Sequence, residues 1–579
     1  MIINIFKKEE RSKECDGCHI IVSKMAKYSI GLDYGTLSVR ALLVNIETGE
    51  EAGVSVYEYP HKVMETRIPT GKKIPVGWAL QHPQDYMDGL MFTIKDIMKK
   101  SAVMPEEVVG IGIDFTCATM LPTYYNKMPL CYNEKFKDEP HAYVKLWKHH
   151  GGEKEAIYID QIAKERNEKW LDLYGGKVYS ECFIAKALET LRYAPDVYEE
   201  ADRFIEAMDW IAWQLTGTET RSICGNGFKA FYHHENGYPS KEFFKALDER
   251  MECFIEEKVD APMKAVGETA GYLTKEMAAT LGLMPGTPVG TGMIDAHCGV
   301  PGNGISKSGT MLVVVGTSSA HLILSDKEAK IPGICGVVKD GIMPGYYGYE
   351  AGQCCVGDHF AWFTKNCVPE SYELEAREAQ ISIHQLLAEK LNNYKAGQSG
   401  LLALDWYNGV RSPLMDFNLN GLIMGMNLLT KPEEIYLALI EATAYGTRLI
   451  MEQFEKEGIT IDTVVLSGGI PMKNPMLVQV YADVLNRNIM ISDTSQPCAR
   501  GAAILGAAAA SKEVTGYNNV NEIAEKLGKI KDEVYRPKKE NVEIYDQLYS
   551  EYQTLCEYFG HGVNDVMKRL NKIRDIQNQ

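Results

Sequence analysis

Phosphoryl transfer to an alcohol asks a protein for a carboxylate that accepts the hydroxyl proton and for donors that cradle phosphate oxygens. Candidates for both stand in this chain. Asp295, in Thr291-Gly292-Met293-Ile294-Asp295-Ala296-His297, lies just past Pro288-Val289-Gly290. It suits a general base, and equally a loop residue capping the next turn. Gly35-Thr36-x-Ser38 and Gly316-Thr317-x-Ser319 superimpose without a gap, each between two apolar runs. Facing one another, two such bends would offer backbone N–H groups and hydroxyls to a triphosphate. Either glycine alone reads as an ordinary turn; the repeat favours phosphate contact. The chain has no Walker A pattern and no kinase-type glycine loop, so a bound nucleotide needs another device. Asp33, at the end of the strand before the first bend, suits Mg²⁺ or a turn cap. Ser467-Gly468-Gly469-Ile470-Pro471-Met472-Lys473-Asn474 runs from a strand through two glycines into a helix. Missing side chains there let a ring or phosphate approach the backbone.

The elements that must position these residues follow from hydrophobic pattern. Tyr28 to Asp33 and Val39 to Asn45 read as strands flanking the first bend, Met311 to Val315 and Ala320 to Ser325 as strands flanking the second. Val108 to Asp114 and Thr463 to Ser467 are later strands, one in each half. Helical spacing marks Pro432 to Glu455, Asn474 to Leu485 and Ala499 to Lys512. Strands alternating with helices predict an α/β fold, and the repeated layout predicts a duplicated domain. The Gly/Pro-containing stretch Gly299 to Gly309 places a boundary near residues 290 to 305. The expected organisation is an N-terminal extension over 1–24, predicted disordered, then lobes over 25–300 and 301–515, and a peripheral helical tail over 516–579.

Composition closes off other classes. With 579 residues, 45% hydrophobic and 24% charged, the chain can bury large cores. A formal charge of −17 argues against general nucleic-acid binding. No apolar run reaches the roughly 18 to 20 residues that span a bilayer, so no membrane role is expected. Met1 to Lys24 does not read as a secretory signal, and Met25 resembles a second start, so a cytoplasmic location is expected. Fourteen irregularly spaced cysteines suggest free thiols in a reducing compartment. Cys15-x-x-Cys18 lacks the second pair a zinc site needs, and Asp295-x-His297 lacks a third ligand. His149-His150 reads as a solvated helix end.

Taken together, Gly31-Leu32-Asp33-Tyr34-Gly35-Thr36-x-Ser38-x-Arg40, Gly292-Met293-Ile294-Asp295, Val315-Gly316-Thr317-Ser318, Leu466-Ser467-Gly468-Gly469 and Ala499-Arg500-Gly501-Ala502-Ala503 resemble the FGGY carbohydrate kinases. Leu146-Trp147-Lys148-His149-His150, Tyr179 to Lys186, Gly227-Phe228-Lys229, Gly348 to Gln353 and Leu404 to Gly409 resemble its L-ribulokinase branch. The resemblance runs from about Tyr28 to Ala510. It implies two actin-like, ribonuclease-H-like lobes with ATP in the interlobe cleft and the sugar mainly against the first lobe. Asp295 matches the catalytic base and a sugar contact. Lys229 and Glu350 match side-chain contacts to the sugar, and Cys117 a main-chain contact. Thr36, Thr317, Gly469 and Asn474 match nucleotide positions. The implied reaction is ATP- and Mg²⁺-dependent phosphorylation of a ketopentose primary hydroxyl, foremost L-ribulose in L-arabinose breakdown, by a homodimer. D-ribulose, xylulose or a related polyol are alternative substrates, and a silent sugar sensor or an actin-like ATPase are rival classes. Two departures stand out. Leu37 takes a turn position often hydroxylated in glycerol-type relatives, and Phe228 stands where many of this branch carry His.

Overall fold

The computed structural model describes residues 26–577 and the backbone of Ser12–Cys15 and Cys18–Ile21, two short strands paired antiparallel. The side chains of Cys15 and Cys18, and most of the 1–24 extension expected to be disordered, lie outside the described residues.

Two large sheets carry the fold. The first holds β1 (Tyr28–Tyr34), β2 (Ser38–Asn45), β3 (Glu51–Glu58), β4 (Val108–Phe115), β5 (Thr269–Tyr272) and β6 (Pro288–Gly290), in the order β5-β6-β4-β1-β2-β3. The second holds β7 (Gly309–Val315), β8 (Ser319–Ser325), β9 (Gly336–Lys339), β10 (Tyr347–Gln353), β11 (Ile461–Ser467) and β12 (Asn488–Ile491), in the order β9-β10-β8-β7-β11-β12. In each, a hairpin is extended antiparallel on one side (β2 to β3, β8 to β10) and parallel on the other (β1 to β4, β7 to β11). A further parallel strand then follows, β6 beside β4 and β12 beside β11. The duplication read from two Gly-Thr bends is therefore a duplication of whole sheets. Central strands such as β1 are buried over most of their length, which is why they read as continuous apolar runs. The outer β3 alternates exposed and covered residues.

Helices α1 (Pro83–Ser101), α2 (Ile223–Ala230), α3 (Asp295–Gly302), α4 (Pro432–Lys456), α5 (Pro475–Leu485), α6 (Pro497–Ala509) and α7 (Lys539–Gly560) concern the site most. The helix that closes each half packs on the other half's sheet. A side chain at Gly299 of α3 would meet Leu312 of β7, whereas α6 lies across β1 and β4. The second contact explains the small residues from Ala499 to Gly506. A Cβ at Gly31, Gly110 or Gly112 would fall 1.9, 1.9 or 1.8 Å from the carbonyl oxygens of Ala499, Gly506 and Ala502. No rotamer relieves a clash with backbone, so strand and helix must separate. Gly112→Ala is expected to cost at least about 3 kcal/mol, at the severe end of overpacking, read as the loss of unfolding free energy in urea.

The tail is not peripheral. Tyr545, Tyr549, Tyr552 and Cys556 of α7 are buried against the second lobe. Their spacing of three and four residues is the apolar stripe of one helical face, and the three tyrosine hydroxyls donate to the carboxylates of Glu441, Glu452 and Asp405.

Candidate active site

Sheet register gathers three carboxylates. In the parallel pairing of β1 and β4, Asp33 stands opposite Asp114. Met293 and Ile294 pair parallel with Asp114 and Phe115, and the chain then turns into α3 with Asp295 as its first residue. The Ala296 N–H donates to Asp295 Oδ1 at 2.7 Å. Asp33 is ion-paired with Arg40 Nη1 at 3.0 Å. Asp114 is fully buried beside Asp33, and burial, reinforced by Asp33 and Asp295, pushes its pKa well above the carboxylate range. Asp295 sits in a tight protein surround yet stays open to solvent. Burial raises its pKa to about 7, with Asp33 and Glu350 adding to the rise and the Ala296 amide and Lys229 opposing it. A carboxylate poised there can hold or release a proton near neutral pH.

The residues expected on the sugar side come from both halves. Lys229 lies on α2, whose first turn is capped by Ser222; that hydroxyl accepts from the Cys224 N–H at 3.2 Å and donates to the Gly292 carbonyl at 2.5 Å. The cap thus ties α2 to the segment that delivers Asp295. Lys229 Nζ donates to Glu350 Oε2 of β10 at 2.8 Å, and both side chains are largely buried. Burial opposes both charges. Glu350 nevertheless holds the ammonium pKa well above its usual value, and Lys229, with His297, holds the carboxylate below its own. His297 closes the arrangement, with Nε2 3.5 Å from Glu350 and Nδ1 3.3 Å from Cys224 Sγ. Phe228 packs edge-on against its ring at 4.4 Å. Phe228 is itself buried, so it shapes the site through His297 rather than by presenting polarity.

Cys117 sits on the bend after β4, where the Thr116 N–H donates to the Tyr34 carbonyl at 3.2 Å, so this bend and the first Gly-Thr bend are neighbours. Ala118 takes the left-handed conformation at φ 46°, and its carbonyl accepts from the buried Lys186 Nζ at 2.5 Å. Lys186 also donates to the Leu146 carbonyl at 2.8 Å, just before Trp147, whose Nε1 donates to Thr36 Oγ1 at 3.1 Å.

Among the residues expected to hold nucleotide, the Gly35 N–H donates to the Ser38 carbonyl and the Gly316 N–H to the Ser318 carbonyl, each at 2.9 Å. Leu37 projects outward from the first turn and is more than half exposed. Gly316 and Thr317 are exposed, and their carbonyls accept from Gly357 and Val356, each at 2.9 Å, at the start of the next helix. Gly468 has φ 106°, and a Cβ on it would fall 2.3 Å from the Val315 carbonyl, so only glycine lets this bend lie against the second hairpin. Gly469 has open space where its side chain would be. The sequence predicts a loop up to Asn474. The structure instead forms one helical turn, Gly469–Lys473, after which the Asn474 side chain caps α5 by accepting from Leu477 N at 3.1 Å.

Several neighbours of the candidate site escape sequence reasoning. Asp114 was legible in the repeat Gly31-Leu32-Asp33 and Gly112-Ile113-Asp114, which places two carboxylates at equal depth on adjacent strands. His297, Lys186 and the Arg411–Glu181 pair at 3.0 Å need tertiary contacts to be seen. His149 is a correction. It is fully buried rather than solvated, with Nε2 3.0 Å from Glu189, whose carboxylate also takes Lys145 at 2.6 Å. Among the described residues no group of three or more His, Cys, Asp or Glu converges as a metal cage, and no helix is long and apolar enough to cross a membrane.

Twin sheets, a carboxylate at the first turn of the linking helix and glycine bends on either side define a carbohydrate kinase, and the chain belongs to the FGGY family of carbohydrate kinases. Its N-terminal domain matches residues 28–302 and its C-terminal domain residues 311–510. The ribulokinase of Bacillus licheniformis is 50% identical over 542 residues, covering 93% of this chain and 98% of that protein. The ribulokinase of Geobacillus thermodenitrificans is 49% identical over 545 residues, covering 94% and 96%. The crystal structure of a ligand-bound xylulose kinase from Lactobacillus acidophilus has the same two-lobed fold, with a TM-score of 0.75 at 19% identity over 93% of this chain and 99% of that one.

Proposed function

We propose that this protein transfers the γ-phosphoryl group of ATP to the terminal primary hydroxyl of L-ribulose, giving L-ribulose 5-phosphate, with Asp295 as the base. The observation that carries the reading is the position of Asp295. Strand register brings it beside Asp114 and Asp33, whose strand leads into one glycine bend, and its carboxylate feels the charges of Asp33, Glu350 and Lys229. Lys229 donates to sugar oxygens and Glu350 accepts from hydroxyls, so an analogue lacking a hydroxyl strands a buried charge. The Gly35, Thr36 and Ser38 bend and the Gly316, Thr317, Gly468 and Gly469 bends take the phosphates and nucleotide, with Asn474 holding the helix start beside them. The name shared by the most similar relatives favours ribulose over other ketopentoses.

Mg²⁺ fits the site as a partner of the nucleotide rather than of a protein cage. Asp33, at the strand end that leads into the first bend, would supply a hard oxygen donor on that side. Bound with ATP, the ion offsets phosphate charge as the γ-phosphoryl group moves. The protein's own residues supply the rest. Asp295 takes the proton, Lys229 and Glu350 orient the alcohol, and closure of the lobes excludes water that would waste ATP. The free thiols among the described cysteines suit a cytoplasmic setting.

The test is ADP release measured over the four 2-ketopentoses and glycerol. The expected result is sugar-dependent release, highest in kcat/KM with L-ribulose. Preference for xylulose or glycerol would reassign the substrate, and sugar-independent hydrolysis would remove the kinase reading altogether.

A further inference from the structure

The second glycine bend is held from behind by a buried chain of hydrogen bonds that ends outside the two matched kinase domains. Ser319 opens β8 directly after Gly316-Thr317-Ser318, and its hydroxyl donates to Gln353 Oε1 at 3.0 Å. Gln353 ends β10. Its Oε1 also accepts from Thr447 Oγ1 of α4 at 3.0 Å, while its Nε2 donates to Asp405 Oδ2 at 2.8 Å and to the Thr443 carbonyl at 3.0 Å. The remaining Asp405 oxygen, Oδ1, accepts from the Tyr552 hydroxyl of α7 at 2.9 Å. Ser319, Gln353, Asp405 and Tyr552 are all buried, at 5% exposure or less. Gly446 of α4 leaves them room, since a Cβ there would fall 2.4 Å from Gln353 Nε2.

We propose that Tyr552 is a positioning residue for the nucleotide, acting through Asp405 and Gln353 on Ser319 to hold the Gly316-Thr317 bend in its phosphate-accepting shape. The proposal rests on the reading that this bend binds ATP. Its physical basis is that every polar atom of Gln353 is committed, so the amide has one orientation and Ser319 one partner. Without the phenol, Asp405 Oδ1 is left buried and unpaired, which costs more than the bond itself was worth. Asp405 must then turn to another donor. Because chained hydrogen bonds polarise one another in a low dielectric, that loss propagates toward the bend. The neighbouring Tyr549 offers an internal control. Its hydroxyl donates to Glu452 Oε2 of α4 at 2.9 Å, but no further hydrogen bond leads from there to the bend.

The experiment compares full-length Tyr552→Phe, Tyr549→Phe and Thr317→Ala with the parent chain, measuring KM for ATP, KM for L-ribulose, kcat, calorimetric ADP affinity and Tm. Tyr552→Phe is expected to raise KM for ATP and weaken ADP binding by roughly three- to tenfold, the range of one hydrogen bond. Its kcat and sugar KM should stay within about twofold, a tolerance well inside that range. Tyr549→Phe should leave ATP and ADP values unchanged and lower Tm less, since Glu452 keeps Arg448 and Gln553 as partners. Equal effects of the two tyrosine changes on nucleotide parameters would overturn the relay and leave α7 a structural prop. Were Thr317→Ala to weaken nucleotide while Tyr552→Phe did not, the relay alone would fall. If neither altered nucleotide binding, the assignment of the bend itself would fall with it.

Discussion

Asp295→Asn lowers kcat for sugar phosphorylation by roughly 10²- to 10⁴-fold, the usual worth of a positioned general base, while ADP affinity stays near that of the parent. The amide keeps an acceptor for the Ala296 N–H, so the turn into α3 survives and only proton acceptance is lost. Steady-state kinetics with calorimetry separates the two. The parent enzyme has an acidic limb in kcat/KM near pH 7, because the carboxylate must be ionised to act and burial places its pKa at about 7. The residual activity of the variant has no such limb. Stability moves the opposite way. The side chain titrates from 3.8 when unfolded to about 7 when folded, so the folded state holds the extra proton in that window and loses stability as pH rises through it. The variant is free of that cost and melts higher than the parent at pH 8, whereas the two converge near pH 4. Near-normal turnover by the variant would remove Asp295 as the base.

Much of this site was legible because glycine and carboxylate positions are dictated by backbone geometry. Gly35 and Gly316 mark tight turns between apolar strands, and the spacing to Ser38 and Ser319 betrays the duplication before any sheet is seen. Asp33 follows from the strand end at the first of those turns, and Asp295 from the short strand that runs into α3. Lys229 and Glu350 are different. A lysine in Gly227-Phe228-Lys229 and a glutamate in Tyr349-Glu350-Ala351 carry no local sign of their pairing, which joins α2 of one half to β10 of the other. Only the resemblance pointed to them. The tail shows the same limit from the other side. Tyr545, Tyr549 and Tyr552 give a clear helical stripe, but their partners Glu441, Glu452 and Asp405 lie roughly a hundred residues or more upstream. Charge and length made the segment look peripheral. His149 misled similarly, because a polar side chain in a loop-like string reads as solvated until Glu189 and Lys145 are brought to it.

The Lys229–Glu350 pair carries the second large effect. Lys229→Met leaves the Glu350 carboxylate buried with only His297 nearby at 3.5 Å, and breaking such a pair from one side costs about 3–5 kcal/mol. The expected outcome is a Tm well below that of the parent and a kcat/KM for L-ribulose reduced by at least about a hundredfold, since the site loses a charged donor and a fixed acceptor together. Adding Glu350→Gln to the same chain removes the stranded charge and restores most of the Tm. It does not restore sugar turnover, because the hydroxyl contacts are still missing. Recovery of both would mean the pair is structural and the sugar is held elsewhere. The pH signature differs from that of Asp295. The Glu350 contribution is present above its unfolded value of 4.5 and is lost as pH falls through its depressed folded value. The Lys229 contribution is present below 10.5 and is lost only above its raised one. Between those limits both partners stay ionised in the folded and the unfolded parent, so the pair's contribution to the parent's Tm is flat from pH 6 to pH 9, whereas the gain of Asp295→Asn grows as pH climbs to 7. On the proposed reading, one carboxylate is kept near its titration point to move a proton, and the other is kept ionised to hold the substrate.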